Sequence, residues 1–109
     1  MLYFAYGSNM STRRLQRRVP SARAIGCGEL AGHRLAFHKV GRDGSGKCDA
    51  CAGDGVLHGV VYEMSATELP LLDACEGLGR GYAHAHIDVR LAGRRVEVLM
   101  YVATRIDER

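Results

Sequence analysis

A chain of 109 residues makes one domain, long enough to bury a core and too short for two. Its 47% hydrophobic and 25% charged residues are the composition of a soluble globular fold, not of a disordered tail or a fibre. A formal charge of +3 does not demand nucleic acid, although thirteen of the fifteen basic residues are arginine, the side chain best suited to carboxylates and phosphates.

Residues 2–6 read as a short strand, apolar on both faces and therefore buried. "SNMSTRRLQRRVPSA" then predicts a short helix with Ser11 or Asn9 as its cap and Pro20 marking its end. Residues 23–39 are extended in character, with bends or bulges expected at Gly26, Gly28 and Gly32. Segments 47–51 and 56–64 are expected to pair as a hairpin around "AGDG". "SATELPLLDACEG" predicts a second helix. Ser65 and Glu68 have capping-box spacing, and a start near Thr67 lets Pro70 fall in the first turn. Residues 82–91 alternate, with Ala83, Ala85, Ile87, Val89 and Leu91 on one face and Tyr82, His84, His86, Asp88 and Arg90 on the other. "LAGR" turns the chain and 95–103 returns as a partner strand. The order strand, helix, three strands, helix, two strands predicts an α+β domain with a largely antiparallel sheet.

No stretch approaches the roughly 18 apolar residues of a membrane span, and "MLYFAY" lacks the basic start and the length of an export signal. The expected location is cytoplasmic, with Cys27, Cys48, Cys51 and Cys75 as reduced thiols.

Two features could carry chemistry. Glu76 continues the apolar helical stripe of Leu69 and Leu72, which aims a carboxylate at the core or a cleft. Desolvation there and the negative end of the helix both favour its protonated form, as a general acid/base requires. The competing reading ends the stripe at Cys75 and leaves Glu76 solvated. The second feature is Gly7-Ser8-Asn9, where the first strand stops. Such a loop is ordinary turn chemistry, a helix cap, or a cradle of N–H groups for an oxyanion.

Other candidates are weaker. Cys48 and Cys51 have half-zinc-site spacing, but three residues along a strand separate them by about 10 Å, too far for a disulfide. No metal site is expected. His84 and His86 share a strand face without an evident third ligand. "RRLQRR" has no aromatic interleaving and reads as a solvated face or an anion-attracting rim, not a nucleic-acid site.

"YFAYGSNM" followed by "LLDACEGLGRGY" resembles the γ-glutamylcyclotransferase or AIG2-like family, which shares a Y-G-S-N loop and an L-D-x-x-E-G segment. "PSARAIGCGELAGHRLAF" and "LHGVVYEM" fall where that family has its middle strands, so the resemblance covers nearly the whole chain. It implies a single domain over residues 1–109, with a small mixed, largely antiparallel sheet curling toward a barrel and two short helices. It implies Glu76 as the catalytic acid/base. It also implies γ-glutamyl binding by Tyr3, Phe4, Ala5, Tyr6, Gly7, Ser8 and Asn9, with Tyr82 or Tyr101 as an aromatic wall. The implied reaction cyclises a small γ-glutamyl amine or amino acid to 5-oxoproline, with no cofactor, nucleic acid or membrane partner. The family's P-S-x-x-Y segment and C-terminal helix are not found in these residues, and oligomeric state is open, a homodimer included. The alternative reading is a non-catalytic module of the same fold that binds a γ-glutamyl or other anionic ligand.

Overall fold

The computed structural model describes residues 1–6, 11–39, 46–76 and 81–103. Five strands carry the fold: β1 (Leu2–Ala5), β2 (Arg23–Lys39), β3 (Gly46–Glu63), β4 (Tyr82–Leu91) and β5 (Arg94–Ala103). Two helices, α1 (Thr12–Gln16) and α2 (Leu69–Glu76), interrupt them. The strands close into a barrel in the order β1-β3-β2-β4-β5. Every neighbouring pair is antiparallel except β1 and β5, which meet in parallel at Tyr3 and Leu99. The α+β barrel expected from the sequence is the fold observed.

Strand alternation divides the apolar residues into two cores. Phe4, Tyr6, Leu30, Leu57, Val61, Val89, Val98 and Met100 come only from strands and the residue after β1, and they fill the barrel. Tyr3, Ala5, Tyr62, Leu99 and Tyr101 point the other way, where Leu15, Val19 and Leu72 cover them from the two helical segments. β1 is buried on both faces for this reason. Its short apolar run has no polar side to show.

A five-stranded barrel is narrow, and glycines make room inside it. Gly28 and Gly59 are register partners on β2 and β3, and the Phe4 ring occupies the space that their side chains would fill. β2 bulges near two of the three glycines expected to break it, at Ala24/Gly26 and at Ala31/His33, whereas Gly28 stays in regular register with Gly59. Beyond its contacts with Leu91 and Arg90, β2 leaves β4 and continues with β3 alone as a two-stranded arm.

One expectation is overturned here. Segments 47–51 and 56–64 do not pair as a hairpin; they are parts of the single strand β3, which runs beside β2. The glycines around Asp54 form half of an irregularity instead of a turn. Gly55 takes φ +137° while Gly32, on β2, takes φ +72°, so the two strands bend together without parting.

The helix signals are realised with small shifts. Ser11 caps α1 by accepting from the Arg14 N–H. Ser65 caps a 3-10 turn over Ala66–Glu68, and α2 starts at Leu69, so Pro70 lies in its first turn. The capping-box glutamate has another use. Glu68 accepts from the Ser21 N–H at 2.8 Å while the Ser21 hydroxyl accepts from the Ser65 N–H at 2.9 Å, a clasp between the two helical segments. The hydroxyl and N–H of Ser21 hold the Glu68 carboxyl below its usual range. β4 alternates as expected and turns into β5 through Ala92 and Gly93, both at positive φ, as a two-residue hairpin loop requires.

Candidate active site

The site is built where the end of α2 lies against the outer face of the barrel. Leu72 is fully buried on that face, and Glu76, four residues later, is half-buried. Its Oε1 accepts a hydrogen bond from the Tyr3 hydroxyl at 3.0 Å. The helical stripe therefore continues to Glu76, and the solvated reading of this residue does not hold.

Tyr3 is held by aromatic neighbours. Its ring stacks on Tyr62 with centroids 6.2 Å apart and meets the edge of Tyr101 at 5.9 Å. The Tyr62 hydroxyl lies 3.2 Å from the hydroxyl of Thr12, the first residue of α1. Tyr82 packs partly buried against the same cluster. The tyrosines thus form a wall on which the Glu76 carboxylate is mounted.

One helical turn before Glu76, Asp73 makes a second polar contact. Its Oδ1 accepts from the Tyr101 hydroxyl at 2.5 Å and from the Nε2–H of His84 at 2.6 Å. Burial above all, with the bond to Asp73 and the charges of Asp73 and Glu76, pushes the Tyr101 phenol far above its ordinary range. Tyr101 is therefore a permanent donor here. Burial also pushes the Cys75 thiol up, with Arg18 opposing, which disfavours a thiolate nucleophile beside Glu76.

The expected binding residues divide by face. Tyr3 and Ala5 share the face that meets α2, whereas Phe4 and Tyr6 enter the barrel interior. Phe4 is 1% exposed and the Tyr6 hydroxyl donates to the Tyr101 carbonyl, so the backbone is what these two can offer a ligand. Gly7, Ser8 and Asn9 lie outside the described residues. Asp73 had no role assigned from the sequence, and His84 was weighed there only as a metal ligand beside His86. The place of Asp73 in the L-D-x-x-E-G segment and its helical spacing from Glu76 were the available signals, and nothing local connects either residue to Tyr101.

Among the described residues no group of three or more His, Cys, Asp or Glu is placed to hold a metal ion. The backbone pairs Cys48 with Phe37 and Cys51 with Arg34 inside β3, with no turn between them. Purified protein is accordingly expected to contain no stoichiometric zinc and no Cys48–Cys51 disulfide. Elemental analysis after mild chelation, with thiol counting, checks this; bound zinc would require the segment to leave its strand.

The family model described as "Gamma-glutamyl cyclotransferase, AIG2-like" matches residues 3–109. The chain belongs to this family. The human gamma-glutamylcyclotransferase is 32% identical over 97% of this chain and 61% of its own length. The bovine protein of the same name is 36% identical over 73% of this chain and 46% of its own length. The chain thus spans about three fifths or less of these curated relatives. A solved structure described as a gamma-glutamyl cyclotransferase superposes with a TM-score of 0.88 at 30% identity, covering 98% of this chain and 68% of that one. In this member of the family no helix among the described residues is long and apolar enough to cross a membrane.

Proposed function

We propose that the chain is a cytoplasmic γ-glutamyl cyclotransferase that converts a small γ-glutamyl compound to 5-oxoproline with Glu76 as general acid/base. The observation that carries the reading is a half-buried carboxylate oriented by the Tyr3 hydroxyl in a domain of this family. The α-amine of the γ-glutamyl group attacks its own γ-carbonyl. A C–N bond closes the five-membered ring, and the bond to the leaving nitrogen breaks. Glu76 takes a proton from the α-ammonium and delivers one to the departing amine. Nucleophile and electrophile belong to one molecule, so holding it folded supplies the proximity, and the reaction needs neither metal nor covalent intermediate.

In the sequence Gly7, Ser8 and Asn9 follow Tyr6, the residue after β1, and Glu76 meets the outer face of that strand, where Tyr3 and Ala5 point. In this reading the backbone N–H groups from Tyr6 to Ser8 receive the oxyanion that forms on the γ-carbonyl. Recognition then depends on backbone shape. Gly7→Val is expected to weaken substrate binding far more than Ser8→Ala, because a branched side chain obstructs close approach while the loss of a hydroxyl leaves the N–H in place. KM values for the two variants check this, and equal effects would reduce the loop to a turn.

A panel of γ-glutamyl amino acids, γ-glutamyl amines and γ-glutamyl peptides, assayed for 5-oxoproline, tests the whole reading. Release from at least one class supports it. Release from none overturns it in favour of binding without catalysis.

A further inference from the structure

The contacts of Asp73 belong to no step of the mechanism above, yet they converge on the carboxylate that performs it. Asp73 and Glu76 are three residues apart on α2 and lie on one helical face. Both act on the same phenol, that of Tyr101. Tyr101 in turn touches the ring of Tyr3, whose hydroxyl holds Glu76. On its other side Asp73 is tied to β4 by His84, whose ring packs edge-on to Tyr101 with centroids 5.2 Å apart. One carboxylate oxygen thereby fastens the last turn of α2 to two strands at once.

We propose that Asp73 is a positioning residue for Glu76: anchored by Tyr101 and His84, it fixes the end of α2 against the barrel and, as a neighbouring negative charge, disfavours a second charge on Glu76. The inference rests on the cyclotransferase reading for its role in turnover, and on geometry alone for the coupling between the two carboxyl groups. Tyr3 meets Glu76 from β1, while Tyr101 of β5 and His84 of β4 bond to Asp73, and Tyr82 packs on the tyrosine cluster. Cys75 is the neighbour of Glu76 on α2, and Arg18, following α1, acts on Cys75. Tyr3 and Tyr101 are neutral donors. Asp73 is a like charge within one helical turn of Glu76 on the same face.

The direction of the effect follows. A like charge about one helical turn away raises the proton affinity of a carboxyl group, so removing it lowers that affinity. Asp73→Asn keeps an acceptor oxygen for Tyr101 and deletes the charge. The acidic limb of kcat/KM, where Glu76 must lose its proton to act as base, is expected to move to lower pH by about 0.5–1 unit. Asp73→Ala, which loses the anchor as well, is expected to lower kcat about tenfold with a smaller change in KM, and Asp73→Asn to retain most of kcat at its own optimum.

Titration of the Glu76 carboxyl carbon by NMR, assigned by its loss in Glu76→Gln, reads the coupling without any turnover. The expected result is a downward displacement of the Glu76 titration in folded Asp73→Asn. An unchanged Glu76 titration would overturn the electrostatic role, and an Asp73→Ala variant as active as the parent would overturn the positioning role. Absence of 5-oxoproline from the parent protein would instead overturn the cyclotransferase reading, and the NMR titration would still decide the coupling.

Discussion

Replacing Glu76 with glutamine is expected to lower the release of 5-oxoproline by about 10² or more while leaving the fold intact. The side chain keeps its length and an oxygen that can accept from the Tyr3 hydroxyl, the contact made at 3.0 Å in the parent. What it loses is the ability to exchange a proton. Without it, the α-ammonium must shed its proton to water, and the leaving nitrogen departs unassisted. The loss should therefore fall on kcat, with KM for the γ-glutamyl compound little changed. Thermal unfolding of the variant should stay close to that of the parent, because one hydrogen bond at a half-exposed site is exchanged for a weaker one. Steady-state assay of 5-oxoproline beside a melting curve checks both halves. Turnover near the parent value would remove Glu76 from the chemistry.

The second large effect is on stability. A Cβ at Gly59 would lie 2.5 Å from the Ala5 carbonyl oxygen and 2.8 Å from two atoms of the Phe4 ring. Neither neighbour can yield cheaply. The carbonyl belongs to β1, which is in register with β3, and the ring is closed in by the barrel core. Gly59→Ala is expected to cost about 3 kcal/mol, the upper end for overpacking, and to lower Tm by roughly 10 °C or more. Gly26→Ala is the matched control. Its Cβ would meet only the end of the Leu91 side chain, at 2.8 Å, and that side chain can turn aside, so its cost should be several-fold smaller. Adding Phe4→Leu to Gly59→Ala should recover part of the loss but not all, because the carbonyl contact persists. Equal melting temperatures for Gly59→Ala and Gly26→Ala would contradict the tight interior described above.

These two effects arise at opposite faces of one short strand, which explains how far the sequence could be read. Most readings that rest on local information hold, the turn at Gly-Asp-Gly excepted. The alternation of β4, the Ser11 cap, the proline in the first turn of α2 and the turn at Ala92-Gly93 each depend on residues a few positions apart. Glu76 was legible for the same reason, since a helix repeats every 3.6 residues and the leucines before it mark the buried face. The paired loop and glutamate motifs supplied the family, because spacing along the chain is what such a resemblance compares.

Tertiary structure decided the rest. Gly-Asp-Gly reads as a hairpin turn when taken alone, yet here it is a bend within β3, because β2 presents Gly32 at the matching place and the ladder continues beyond it. Alternation puts Tyr3 and Phe4 on opposite sides of β1, but only closure of the barrel makes one side an interior and turns the other toward α2. Asp73 meets His84 from eleven residues away and Tyr101 from twenty-eight, and no pattern along the chain joins them. Local chemistry determined most of the elements and singled out the Glu76 carboxylate. Which groups surround that carboxylate was decided by long-range strand pairing, since only the closed sheet brings β1, β4 and β5 under one helix end.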